Sequence, residues 1–218
     1  MALNKLKYNS LNLTPAANKA ISFDSDADAL EATIGAGSIT FIKKLTASSS
    51  SDLSFVNGAS DVVLDSTYKE YIFIFNNLHF SDDACNFKLN FRDGGSSYDA
   101  TKTSTFFRAQ HSEDGGTSNL AYQTGRDVAN GTGDQTVAEN IGVDGDESLN
   151  GFMHLFNPSS TTFVKHFLVQ TQYYQTNNYS ENVFVGGYCN VTAAIDAVKF
   201  DASAGTIDTG TITLYGIN

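Results

Sequence analysis

The sequence predicts an all-β fold: a jelly-roll-like antiparallel β-sandwich of about ten strands, preceded by an extended N-terminal arm. Apolar and polar residues alternate from Ile39 onward with the period of two that marks half-buried strands, and helical spacing is hard to find. All the aromatic residues, 12% of the chain, are Phe or Tyr, which suit a pleated surface. Gly, Asn, Asp and Ser dominate the linkers, where the chain must reverse.

Ten short segments carry this alternation, and each is bounded by turn-forming residues. A chain of 218 residues is long enough to bury a core in one domain without disulfides. We therefore expect one sandwich domain, 39–218, behind an arm, 1–38. The predicted strands are 39–46, 52–56, 69–77, 86–92, 104–111, 151–157, 162–171, 182–191, 194–200 and 209–217.

One predicted strand is apolar on both faces. Tyr71, Phe73 and Phe75 share one face, while Ile72 and Ile74 occupy the other. A sandwich strand normally has one wet face, so both faces here need cover. Two explanations stay open: a loop or the N-terminal segment overlies the strand, or these five residues form a contact between subunits.

The charge of the chain is strongly acidic and concentrated in its middle. Thirteen basic residues face 24 acidic ones, a formal net charge of −11, which repels nucleic acid and anionic lipid. The strand pattern dissolves at about 111–150, which is longer than a routine connection. We expect this acidic insert to be an ordered, irregular and exposed excursion at one end of the sandwich. Within it, 120–124 is a candidate for a short strand, and 134–142 for one turn of helix or another strand.

The sequence offers no catalytic motif and no cofactor site, so we expect a protein that is not an enzyme. The four histidines lack metal-ligand spacing, and an EF-hand-like run at 24–35 lacks the required Gly and Glu. Asp144, Asp146 and Glu147 are the one candidate group for Ca²⁺, together with backbone carbonyls. A solvated acidic turn is the alternative interpretation.

A tyrosine-rich stretch at 170–182 is a candidate binding surface. Tyr173, Tyr174 and Tyr179 lie among amide and hydroxyl side chains. A tyrosine presents a flat apolar face with a polar tip, which suits sugar rings and protein partners equally. The alternative is a polar hairpin loop whose tyrosines pack on their own sandwich.

Features of the sequence favour folding in a cytoplasm. The N-terminal MALNKLKYNS lacks the apolar stretch of a signal peptide, and no segment reaches the length of a membrane span, so we expect no membrane insertion. Cys85 and Cys189 are the only cysteines. They pair only if their strands are neighbours, and otherwise are two small core residues.

The arm carries spaced apolar residues that are too many for an idle tail and too few for a core. We predict that it becomes ordered on a neighbouring protein, where new contacts offset the entropy lost on ordering. A disordered terminus is the alternative. The apolar residues that would dock are Leu11, Leu13, Ile21, Phe23 and Leu30.

Four stretches resemble a family of small virion structural proteins of tailed phages, particularly marine and cyanobacterial ones. They are 42–79, 151–167, 186–200 and 205–218, and their recognisable motifs are TASSS followed by DLSF, the turn LFNPSSTT and the final strand GTITLYGI. The resemblance covers most of the predicted sandwich and is weakest in the acidic insert.

This resemblance implies a structural component of the virion, assembled in the host cytoplasm with other virion proteins as partners. Fibres and appendages of symmetric particles are oligomeric, so a homo-oligomer is expected, with a trimer favoured. We favour a tail or fibre location over a head decoration or head-fibre protein, and host-surface glycan is a possible ligand. A free carbohydrate-binding module and a polysaccharide hydrolase are the alternatives from other functional classes.

Overall fold

The computed structural model describes residues 20–23, 30–33 and 39–217, with side chains in the last range. These residues form fourteen strands and no helix, which confirms the predicted all-β class. Accordingly, this described part holds no helix that could span a membrane. The chain divides into two compact units, 1–38 and 39–218.

The first unit contains a short hairpin that the sequence did not predict. Strand β1 (Ala20–Phe23) pairs antiparallel with β2 (Leu30–Thr33). Ile21, Phe23 and Leu30, three of the predicted docking residues, lie on these strands, whereas Leu11 and Leu13 lie outside the described residues. Docking by the arm stays a prediction.

The second unit contains twelve strands, and each of the ten predicted strands corresponds to one of them. The ends differ by a few residues, because polar residues at strand ends still pair with their neighbours. The strands are β3 (Ile39–Thr46), β4 (Asp52–Val56), β5 (Glu70–Phe80), β6 (Cys85–Arg92), β7 (Lys102–Ser112), β8 (Ser118–Tyr122), β9 (Gln135–Ile141), β10 (Leu149–Phe156), β11 (Lys165–Gln175), β12 (Tyr179–Cys189), β13 (Ala197–Ala202) and β14 (Ile207–Ile217).

These strands form two antiparallel layers that nearly close into a barrel. The large layer has the order β3-β14-β5-β10-β11-β12-β7-β8, and the small layer has the order β9-β6-β13-β4. At one side a single residue pair, Gln175 with Ile141, joins β11 to β9. A bridge from Ser50, just before β4, to Ile207 of β14 joins the layers again. The architecture is therefore a sandwich with joined sides.

Phenylalanine side chains from both layers fill the space between them. Phe200 of β13 lies at the centre of the cluster, fully buried. Its ring centroid is 5.5 Å from that of Phe73 and 5.2 Å from that of Phe75, both on β5. Phe87 and Phe55 of the small layer are 5.8 and 6.3 Å away. This cluster holds the small layer on the inner face of the large one.

The subunit contact predicted for 71–75 is wrong for three of its five residues, because they are buried. Tyr71, Phe73 and Phe75 are 0–1% exposed and belong to the core, so they offer no surface to a partner. Ile72 and Ile74 lie on the opposite face of β5, and Ile74 remains 37% exposed. Only this second face is available for a contact.

The acidic insert is not the irregular excursion that the sequence predicted. Its residues form β8, which pairs with β7 at the edge of the large layer, and β9, which is a strand of the small layer. Val137 and Ile141 of β9 are fully buried. The sequence left 134–142 open between one turn of helix and a strand, because two of the other inward positions hold Gln135 and Glu139, which obscure the apolar alternation.

The two cysteines are both buried and unpaired. Cys85 begins β6 in the small layer, whereas Cys189 ends β12 in the large layer. Burial raises the pKa of the Cys189 thiol to about 12, so it stays protonated at neutral pH. Of the two interpretations that the sequence left open, the structure supports small core residues.

We predict that Phe200→Ala lowers the free energy of unfolding by about 3–5 kcal/mol, because it leaves a cavity between the layers. Equilibrium urea denaturation measures this loss. The control is Phe163→Ala, which truncates a phenylalanine that is 69% exposed and is expected to change stability by less than about 0.5 kcal/mol. Equal losses in the two variants would contradict the central role of Phe200.

Candidate functional site

Apolar side chains line up across the outward face of the large layer. The cross-strand register pairs Ile74 with Phe152 and Phe184 with Phe107, with Gln170 between Phe152 and Phe184. Tyr122 on the edge strand continues the line, so it crosses six strands. We call this line the aromatic row: Ile74, Phe152, Gln170, Phe184, Phe107 and Tyr122.

A second row runs beside it on the same face. Leu168, 53% exposed, pairs with His154, and His154 pairs with Ile72. Tyr215 and Phe41 extend this row to the edge strand β3. Together the two rows form the outer face, a name kept below for the eleven residues Ile74, Phe152, Gln170, Phe184, Phe107, Tyr122, Leu168, His154, Ile72, Tyr215 and Phe41.

The outer face has a depression of about 450 Å³ at its centre. Phe107 and Phe184 stack on one side, with ring centroids 5.1 Å apart and planes 10° from parallel. Phe152 and Leu168 line the other side, and Gly186 leaves the space between Leu168 and Thr105 open. An exposed apolar surface of this extent is typical of an interaction site.

A polar region adjoins the aromatic row beside Phe152. The side chains of Asn150, Gln170, Gln172 and Asn182 surround a shallower depression of about 190 Å³. Their amides are held in place: Gln170 Nε2 donates to Asn182 Oδ1 at 3.2 Å, and Asn182 Nδ2 donates to the Thr171 carbonyl at 3.2 Å. Fixed amides next to an aromatic ring are groups that can bind a sugar or a peptide.

Charge is nearly absent from the outer face, although the chain carries a net charge of −11. None of its eleven residues is Lys, Arg, Asp or Glu. His154 Nδ1 contacts the carboxylate of Glu70, which lies just beyond the second row. Contact between two copies through these eleven residues would therefore bring no like charges of the face together.

The three tyrosines of 170–182 do not form one surface. Tyr173 is buried on the inner face of β11, and burial raises its pKa well above the ordinary range. Its predicted role as a surface for a glycan or partner is wrong, since the alternation of β11 turns it into the core. Tyr174 and Tyr179 are half-buried at the β11–β12 turn, and Tyr174 donates to Asn178 Oδ1 at 3.2 Å.

Tyr179 lines a polar depression of about 390 Å³ at the tips of two hairpins. The other walls are polar side chains of the β7–β8 and β11–β12 turns, including Glu113, Asp114 and Asn177. Asp114 is committed to its own turn, because it accepts from the Ser112 hydroxyl at 2.7 Å and the Gly116 N–H at 2.8 Å. These bonds shape the turn itself.

The residues proposed for Ca²⁺ serve a turn as well. Glu147 is buried, and its carboxylate accepts from the Asp144 N–H at 2.8 Å. Gly142 packs so closely that a Cβ there would lie 1.9 Å from this carboxylate. Among the residues that the structure describes, Asp144, Asp146 and Glu147 do not form a metal-binding group, and no other three such side chains do.

A buried ionic network was missed by sequence reasoning. Arg108 of β7 bridges two carboxylates between the layers: it contacts Glu139, and its Nη1 lies 3.1 Å from Glu181 Oε1. Arg126 binds the other oxygen of Glu139, and the Tyr173 hydroxyl donates to Glu181. Burial raises the pKa of Glu181, which is fully buried. The only signal in the sequence was the occurrence of polar residues at inward strand positions.

Comparison of the chain with protein families, with curated proteins and with solved structures finds no match. We therefore infer a function from the outer face, from the depressions on and beside it, and from the four sequence stretches that resemble virion proteins.

We predict that Arg108→Met lowers the free energy of unfolding by about 3–5 kcal/mol, because it leaves Glu181 buried without its guanidinium. Urea denaturation at neutral pH measures the change. Lys44→Met is the control, since Lys44 is an exposed cation of the edge strand β3 and should have an effect below about 0.5 kcal/mol. A loss below about 1 kcal/mol for Arg108→Met would contradict the role given to this network.

Proposed function

We propose that the chain is a non-enzymatic structural component of a tailed-phage virion whose copies assemble through the outer face of the large layer. The observation that carries the proposal is the uncharged outer face, which crosses all eight strands of that layer. The resemblance of four sequence stretches to virion structural proteins supports the setting, and a tail or fibre location is favoured over the head.

A second copy is the occupant that the charges favour. A net charge of −11 keeps copies of this chain apart wherever their acidic surfaces meet. Contact through the outer face removes apolar surface such as Leu168 and Phe107 from water without bringing like charges together. Closed symmetry is the rule for homo-oligomers, and a trimer fits the symmetry of fibres and appendages.

The first unit is assigned a different role, attachment to a neighbouring virion protein. It is a separate compact unit whose spaced apolar residues are suited to contacts with another surface. In this proposal the arm fixes the protein to the particle, and the sandwich is displayed outward.

Binding of a host-surface glycan is a second candidate function. The observation that favours it is the fixed set of amides beside the Phe152 ring. Sugar hydroxyls pair with amide groups, while the apolar face of a sugar ring packs on an aromatic side chain. Binding on a glycan array that is lost in Gln172→Ala, an exposed amide, would support this candidate.

We predict that the double variant Phe107→Glu/Leu168→Glu is monomeric under conditions in which the natural chain is an oligomer. Two carboxylates in the central depression would be desolvated on contact and would repel those of the next copy. Light scattering after size-exclusion chromatography measures the mass, and circular dichroism checks that the variant is folded. The control, Phe163→Glu, places one charge on an exposed loop and should leave the oligomer intact.

A natural chain that is monomeric at every concentration would contradict assembly through the outer face. Persistence of the oligomer in the folded double variant would do so as well.

We further predict that antibodies against the protein label purified phage particles at the tail or its fibres. Immunogold electron microscopy measures the location. Labelling of the head would replace the tail assignment by the head alternative. Absence of the protein from particles would overturn the virion proposal.

A further inference from the structure

A buried lysine of the large layer contacts a buried asparagine of the small layer. Lys102 begins β7 of the large layer, and Asn90 belongs to β6 of the small layer. Lys102 is 0% exposed and Asn90 is 2% exposed. Lys102 Nζ lies 2.7 Å from Asn90 Oδ1, so the amine is next to the side-chain amide carbon.

Every polar atom of the Asn90 side chain is held. Its Oδ1 accepts from the Phe91 N–H at 2.9 Å as well as from Lys102, and both donors draw electron density from the carbonyl carbon. Its Nδ2 donates to Asp134 Oδ1 at 2.9 Å and to the Thr132 carbonyl at 3.1 Å. A carboxylate therefore lies against the nitrogen that would have to leave if this amide were attacked.

The lysine amine is not held as one half of an ion pair. Its other contacts are backbone carbonyls, those of Ala100 at 3.1 Å and Thr132 at 3.4 Å. No carboxylate of the described chain lies within ion-pair distance of its amine, whereas Lys88 is paired with Asp134. Burial disfavours the ammonium form and lowers the pKa of Lys102, which raises the fraction of free amine.

We propose that Lys102 and Asn90 join through an intramolecular isopeptide bond that forms within the folded chain. The lone pair of Nζ attacks Cγ of Asn90, and the bond between Cγ and Nδ2 breaks. Of the two protons on the neutral amine, one stays on the new amide nitrogen. The other is transferred to the departing nitrogen, whose developing positive charge the Asp134 carboxylate stabilises, and that nitrogen leaves as ammonia. The exchange of one amide for another needs no oxidant, cofactor or metal.

The bond ties the small layer to the large layer covalently. It joins β6 to the start of β7, and between these strands no backbone ladder exists. A crosslink of this kind limits the separation of the layers that unfolding requires. It does not depend on the role proposed above for the outer face.

Lys165 provides a matched internal control. It is also fully buried in the large layer, and burial likewise lowers its pKa. However, its Nζ contacts the backbone carbonyls of Val191 and Ala193 and no side-chain amide. Lys165 is therefore a buried amine without an electrophile.

The test is the intact mass of the denatured full-length chain, followed by tryptic mapping. The natural chain is expected to be lighter than its calculated mass by one ammonia molecule. Lys102→Arg and Asn90→Ala are expected at their full calculated masses, whereas Lys165→Arg keeps the loss. Asp134→Asn should form the bond more slowly, so that its linked fraction is smaller soon after synthesis.

The peptide map separates this bond from succinimide formation at the Asn-Gly pairs that begin at Asn57, Asn130 and Asn150, which also releases ammonia. Trypsin cannot cleave after a modified Lys102, so the isopeptide appears as a branched species of peptides 89–92 and 93–108. Recovery of a linear peptide 93–102 from the natural chain, with no branched species, would overturn the proposal whatever the variants do.

Discussion

The small layer covers only the inner face of the large layer, and the rest of the structure follows from this constraint. Phe200 and its neighbours make the contact, and they draw Phe73 and Phe75 of β5 inward. Strand geometry then turns Ile72 and Ile74 outward. The four strands of the small layer pack on one face of the eight-stranded large layer. The apolar side chains on the other face of the large layer therefore have no partner within the sandwich. The outer face is a consequence of how the core is closed.

The sandwich interior also contains polar and charged groups, and their placement limits how the layers can meet. Along β7, Lys102 begins the strand and contacts Asn90, whereas Arg108 lies towards the other end and binds Glu139 and Glu181. Desolvated ion pairs such as that of Arg108 with its two carboxylates contribute little net stability and are costly when one partner is removed. The contacts of Lys102 and Arg108 fix the position of β7 along the small layer, because only one alignment of β7 satisfies both contacts. The fold therefore combines an apolar centre with polar contacts that specify how the layers align.

The sequence predicts strands well where alternation is apolar on the inside, and poorly where it is not. The alternation of apolar residues predicts β6, and its apolar side chains Phe87, Leu89 and Phe91 are all buried. Strand β9 stayed an alternative to a turn of helix because Gln135 and Glu139 point inward, and their partners are distant in sequence. Tyr173 looked like a loop residue, since the length of β11 depends on pairing with β12. The outer face was visible only as the second apolar side of 71–75, because cross-strand register decides which side chains meet.

In the proposed assembly, the outer face of each copy is covered by another copy. Hydroxyl-radical footprinting of the assembled and the dissociated full-length chain tests it at the level of single side chains. We expect oxidation of Phe107, Phe152 and Leu168 to fall several-fold on assembly, while oxidation of the exposed Phe163 stays unchanged. Equal oxidation of the outer face in both states would contradict it.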